Sequence, residues 1–222
     1  MDLNKYKEII DELVLAKNSE KDPKKKRGLE DFEIRLKKDL RSQEIQNKLK
    51  SLYDNKQFIG YICVASQFIE FKIKEIILQL QQLATLLNKK FKLNKDWEEK
   101  TLGGLITILE NYCINDSSLI KQLKDFNDLR VRAIHRLFDI TFEIKDVESE
   151  IETKLTPSFS YYNITASLER YLYGITVKTF ETKDKMGQAP QEAKIVFEKI
   201  RKKMEEIDPN LKNEDVIKNI KL

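Results

Sequence analysis

The chain has 222 residues, 41% of them hydrophobic and 35% charged, with only 6 Gly and 4 Pro. That length suits one domain or two small ones at ~100–200 residues each, and so few turn residues exclude a β-sandwich or a βαβ array. Its 41 basic and 37 acidic residues leave a net charge of +4, which does not by itself demand a nucleic-acid partner.

Residues 3–18 predict an amphipathic helix with Tyr6, Ile10 and Leu13 on one face. From Asn18 to Gly28 the pattern breaks, and Pro23 with the run Lys24, Lys25, Lys26, Arg27 reads as a solvated linker rather than a phosphate-binding patch or import signal. A highly charged helix follows from Leu29 to Asp54, anchored by Phe32, Leu36, Leu40, Ile45 and Leu49. In the clearest helix, Ile62, Ala65, Ile69, Ile73, Ile76, Leu80, Leu83 and Leu87 recur at steps of three and four. Such a stripe buries one face in a bundle.

Asn88 to Lys100 is a polar connector around Trp97. Thr101 reads as the N-cap of a short helix, Leu102 to Tyr112. Gly103 and Gly104 each cost that helix about 1 kcal/mol relative to Ala, so the pair implies close approach of another helix. Asp116 or Ser117 caps a helix running to about Ile144, followed by a weak connector and a break at Pro157. Another helix, Tyr162 to Thr182, carries Ile164, Leu168, Tyr171, Leu172 and Ile175. A loop from Asp184 to Pro190 leads to a heptad-patterned helix, Gln191 to Ile207, ended by Asp208-Pro209; the last residues form a short helix or fray. The expected fold is therefore all-α, with no strand pattern and no internal repeat.

Several chemistries have no support. No GxGxxG, Walker or GxSxG string is present, and one His with two Cys 50 residues apart cannot build a Cys/His zinc site. Neither a metal nor a cofactor is expected. Cys63 and Cys113 read as buried thiols rather than a disulfide, which suits a reducing, cytoplasmic compartment. There is no run of about 18 apolar residues to span a membrane, and Met1 to Lys7 lacks the apolar stretch of a secretory signal.

Chemistry concentrates in one segment. Of the 8 Arg, three lie at Arg130, Arg132 and Arg136, around the only His, His135. On a helical wheel Phe126, Leu129, Ala133, Leu137, Ile140 and Ile144 form a core stripe, and Val131, Ile134, Phe138 and Phe142 form a second apolar stripe. The second stripe suggests a dimer interface. Asp125, Arg132, Arg136, Asp139 and Glu143 share the polar face.

Arg suits bidentate phosphate contacts, and His moves protons near neutral pH. Together they are a minimal set for RNA cleavage without metal, with 2′-OH attack on the adjacent phosphate and Arg stabilising the charge that builds there. Arg130 and His135 diverge by about 140° on a regular helix, so a kink or a two-fold axis must bring such groups together. A packed, hydrogen-bonded His135 and surface pairs Arg132–Asp128 and Arg136–Asp139 at helical spacing are the structural alternative.

Arg130-x4-His135, within Leu129-Arg130-Val131-Arg132-Ala133-Ile134-His135, resembles the R-x4–6-H signature of the HEPN superfamily. Upstream, Thr101-Leu102-Gly103-Gly104-Leu105-Ile106 is similar to the T-L-G-x-L-I helix start of several HEPN groups. The resemblance covers about residues 55–182, leaving 1–54 as N-terminal helices and linker and 183–222 as a C-terminal helical extension.

It implies a homodimeric helical bundle that cleaves RNA without metal, as a toxin or antiviral effector paired with an antitoxin or sensor protein. Arg130 and His135 would be catalytic, Arg132 and Arg136 would bind RNA, and Asn127 and Asp128 would orient the site. Two positions depart from the family pattern. Val131 stands where a polar residue commonly follows the motif Arg, and Leu137 replaces the Tyr found two residues after the His in toxins paired with nucleotidyltransferases. A HEPN-like scaffold without catalysis, binding RNA or protein, is the alternative. A third reading is an unrelated helical adaptor docking through the Leu29–Asp54 helix.

Overall fold

The computed structural model describes residues 3–91, 93, 96–155, 161–187 and 218–221. Every regular element among them is helical. Two compact units divide at Val64/Ala65. The Gln191–Ile207 helix, its Asp208-Pro209 stop and the Pro157 break lie outside the described residues.

In the first unit, α1 (Leu3–Ser19) and α2 (Pro23–Asp54) form a helical hairpin. The break between them is far shorter than the expected linker. Asp22 accepts a bond from Lys26 N at 2.9 Å through its carbonyl, and Pro23 opens α2, where its missing N–H costs nothing. The Lys24–Arg27 run thus belongs to the first turns of a helix. Across the hairpin Lys17 donates to Glu33 at 2.6 Å, and Lys37, one turn along α2, donates to the same carboxylate at 2.6 Å. These two ammonium groups hold the buried Glu33 carboxyl below its ordinary range.

Helix α3 (Phe58–Leu86) begins in the first unit and continues into the second. At 1.5 Å per residue it is on the order of 40 Å long. Its expected stripe is buried from Ile62 to Leu83, with Leu87 half-exposed just past its end. One member of the buried face is charged. Lys72 pairs with Glu75 at 3.9 Å and Glu169 at 3.7 Å and stacks over Phe68 and Phe71.

In the second unit, a single 3-10 turn, Trp97–Glu99, buries Trp97. Thr101 occupies the N-cap of α4 (Leu102–Ile108), but only its carbonyl is used, accepting from Leu105 N at 2.9 Å. The helix then widens into a π-turn, Leu109–Cys113, closed by Ile114 N on the Leu109 carbonyl. Ile220 pairs antiparallel with Ile114 beside this turn. Helix α5 (Ser117–Leu137) is capped by Asp116, whose carboxylate accepts from Leu119 N at 3.0 Å and from Tyr171 Oη at 3.1 Å.

Helix α5 stops at Leu137 rather than near Ile144. A second helix, α6 (Ile144–Lys154), occupies the stretch expected to be a weak connector. Its apolar positions Val147 and Ile151, with Leu155 just past its end, are buried at helical spacing. Helix α7 (Tyr161–Lys185) buries all five of its predicted apolar positions. α5 packs against α4, α6 and α7, so it lies centrally in this unit. No described helix is long and apolar enough to cross a membrane.

Neither cysteine is in a disulfide, but only Cys113 is buried; Cys63 is exposed. Burial pushes the Cys113 thiol up to about 12.

Candidate functional site

All six predicted site residues lie on α5, and the helix sends them in three directions. Phe126, Leu129 and Ala133 anchor it in the core. Asn127 turns toward α4: a Cβ on Gly103 would stand 3.3 Å from Asn127 Nδ2. This is the close helix approach that the glycine pair implied. Gly104 faces instead the Lys100 side chain of its own preceding turn. One turn along α5 from Asn127, Arg130 is half-buried. Asn127 Oδ1 and Arg130 Nε are both buried, and neither has a hydrogen-bond partner among the described residues.

His135 is exposed in the last turn of α5 and does not pack as a core histidine. No described group hydrogen-bonds or ion-pairs with its imidazole. Because α5 is unbroken through this region, Arg130 and His135 remain about 140° apart around the helix and roughly 7.5 Å apart along it. No kink within the chain brings them together.

Arg132, three residues before His135, lies on the same side of the helix. With Asp125, Asp128, Leu129 and Lys154 it lines an open groove of about 250 Å³ between α5 and α6. No ion pair joins Arg132 to Asp128 among the described residues, although their spacing allows one. Burial and the nearby Arg132 and Arg136 guanidinium groups hold the Lys154 ammonium below its ordinary range.

Arg136 does not reach Asp139. It pairs with Glu150 of α6 and stacks on Phe142 at 4.9 Å. Glu150 also accepts from Lys154 at 2.5 Å. The Asp139 carboxylate is taken by Thr141, through its Oγ1 at 2.7 Å and its N–H at 2.9 Å. These bonds hold the Asp139 carboxyl below its ordinary range.

The segment from Phe138 to Glu143 is thus a folded hook that reverses the chain between α5 and α6. The supposed continuations of the helical stripes point outward from it. Phe138 is 83% exposed, Ile140 101%, Phe142 41% and Ile144 64%.

Lys154 and Glu150 are the site neighbours that the sequence did not single out, and Phe142, read there as part of an apolar stripe, instead lies under the Arg136 guanidinium. The spacing Ile144, Val147, Ile151, Leu155 was the available signal for α6, diluted by the charged residues between. Nothing in the linear sequence joins Arg136 to Glu150. Among the described residues no three His, Cys, Asp or Glu side chains gather in a metal-binding group. No family model, curated protein or solved structure matches this chain.

Proposed function

We propose that the chain is a HEPN-type endoribonuclease that cleaves RNA by 2′-OH attack without metal and acts in the cytoplasm as a homodimeric toxin or antiviral effector. The observation that carries this reading is His135: the only imidazole in the chain, exposed, without a described partner, on a helix that also bears Arg130 and Arg132. His135 moves the proton, and Arg130 stabilises the phosphorane charge. Arg132 and Lys154 hold the RNA backbone beside the groove. Arg136 supports this arrangement from its contacts with Glu150 and Phe142. An antitoxin or sensor protein restrains the enzyme until it is needed.

The test is RNA cleavage in the presence of EDTA. His135→Ala and Arg130→Ala each lower the rate about 10²–10⁴-fold, the usual worth of a positioned acid–base group, and the products end in 2′,3′-cyclic phosphate. Cleavage at the wild-type rate by both variants overturns the reading. The exposed hook favours a second reading, a HEPN-like adaptor that binds protein without cutting RNA. In that case no version cleaves.

A further inference from the structure

We propose that the cavity between the end of α3, the π-turn and the Ile220 segment binds a free nucleoside phosphate. The cavity has a volume of about 200 Å³ and is lined by Lys89, Lys90, Phe91, Asn111, Tyr112 and Lys221. It shares no lining residue with the Arg132 groove, and its ligand does not depend on the ribonuclease reading.

Three separate stretches of chain deliver these groups, and each is fixed locally. Asn88 follows α3 in the left-handed region, with φ 53°. Its N–H donates to the Thr85 carbonyl at 3.1 Å, and Lys89 N donates to the Ala84 carbonyl at 2.8 Å. This paired closure ends the helix and turns the chain away from its axis, which brings Lys89, Lys90 and Phe91 to the cavity. In the π-turn, Leu109 and Cys113 are buried while Asn111 and Tyr112 between them are exposed. Lys221 arrives on a segment bonded to the chain around Cys113. Its N–H donates to the Cys113 carbonyl at 2.9 Å, and Asn115 N donates to the Asn219 carbonyl at 2.7 Å. Lys221 Nζ donates to the Glu110 carbonyl at 2.5 Å, which uses one of the three hydrogens of an ammonium group.

Three lysines and no described carboxylate line the cavity, so it favours an anion. The acid of the π-turn, Glu110, lies outside the lining, and its carboxylate is held by Lys124 at 2.8 Å. The lysines are exposed, whereas Phe91 is half-buried and Ala84, also on the wall, is buried. Charge therefore stands at the mouth, with apolar surface deeper in. Inorganic phosphate would leave that apolar surface unused. A flat base joined to phosphate uses both. The base stacks on Phe91 or Tyr112, the ammonium groups take the phosphate oxygens, and the Asn111 amide offers a donor and an acceptor to the base edge. The volume is below the ~300 Å³ at which drug-sized sites begin, so it holds one base, with the phosphates at the mouth.

Calorimetric titration of the full chain with ATP tests the site, with circular dichroism as the fold control. ATP binds saturably and more weakly as salt rises. Adenosine and inorganic triphosphate, each lacking one half of the ligand, bind about tenfold or more less tightly. The double variant Lys89→Ala/Lys90→Ala weakens ATP binding about tenfold or more, and Tyr112→Leu weakens it roughly fivefold or more, both with helicity unchanged. Tyr112→Phe keeps the ring and the affinity. Lys50→Ala, at an exposed cation of α2, also binds like wild type. No saturable binding of ATP overturns the proposal, including when a short adenylate RNA binds instead. So does triphosphate that binds as tightly as ATP, since the base is then unread. Weakening by Lys50→Ala equal to that of the lysine pair reduces the effect to diffuse surface charge and overturns it as well. Cavity variants that bind ATP like wild type put the nucleotide elsewhere on the chain and overturn this site.

Discussion

Replacing Gly103 by Ala probes the crossing of α4 and α5. In a helix interior, Ala is worth about 1 kcal/mol over Gly. Against that gain, the new Cβ stands 3.3 Å from Asn127 Nδ2, so the amide must yield by a few tenths of an ångström. The moving group is a side-chain end whose Oδ1 accepts no hydrogen bond from a described residue, so none to that oxygen is lost. A shift off the preferred rotamer costs of order 0.5–1.5 kcal/mol. The two effects nearly cancel, and Gly103→Ala changes stability by no more than about 0.5 kcal/mol in either direction. With Asn127→Ala already in place, the same substitution recovers the full gain of about 1 kcal/mol. Urea unfolding followed by Trp97 fluorescence measures this cleanly, because Trp97 is the only Trp and is buried in the same unit. A double-mutant coupling below ~0.3 kcal/mol would refute the contact. Gly104→Ala is the contrast: its Cβ meets Lys100 Cβ at 3.2 Å. That atom is fixed to the backbone, so relief must move the start of α4, and this variant is the less stable of the two.

Other outcomes follow from the same geometry. Asp116→Ala removes both the cap on Leu119 N and the acceptor for Tyr171 Oη, and costs about 1–2 kcal/mol in the Trp97 unfolding assay. Asp116→Asn keeps a capping oxygen and loses less. In the folded chain a thiol reagent modifies Cys63 rapidly and Cys113 only on unfolding, because Cys63 is exposed while Cys113 is buried with its thiol pushed up to about 12; mass mapping of the labelled residue checks this. For Glu33, the folded carboxyl lies below its ordinary 4.5. Its stabilisation of the α1–α2 hairpin is therefore complete above pH 4.5 and is lost as pH falls through the lower folded value. Stability followed by helicity during acid titration shows a step there that Glu33→Gln abolishes.

Periodicity exposed the elements whose apolar spacing is uninterrupted. The Ile62–Leu83 stripe of α3, the five anchors of α7 and the Phe126–Leu129–Ala133 face of α5 are all buried, because steps of three and four on a helix leave little choice of face. The end of α5 was harder to read. Phe138, Ile140, Phe142 and Ile144 continue the helical spacing with neither Gly nor Pro to stop it. The helix ends through local polar chemistry, Thr141 bonding to Asp139, and through Arg136 reaching a residue of α6. A short Asp-x-Thr turn is a weak signal against such a pattern. The start of α2 was legible in principle, since Asp22-Pro23 is cap and first-turn chemistry, but the adjacent run of cations and Gly28 suggests a linker more strongly. At the candidate site, residue types and spacing single out His135 and its arginines. They do not reveal that Arg136 is held by Glu150 while Arg132 stays open, because that division depends on where α6 packs.

Lys72 gives the long α3 stripe something its isoleucines and leucines cannot supply. A ladder of similar aliphatic side chains can slide by one turn, about 5.4 Å, and still bury nearly as much apolar area. A slide of α3 along α7 would carry the ammonium away from Glu169 and leave only Glu75 of its own helix, at 3.9 Å, as a partner, and a buried charge that loses a partner is destabilised. Lys72 therefore acts as an index mark that makes one alignment of the two helices unique. Lys72→Met keeps the length and apolar stem of the side chain, so its expected cost appears less in stability than in the sharpness of packing, read as broader methyl resonances along α3.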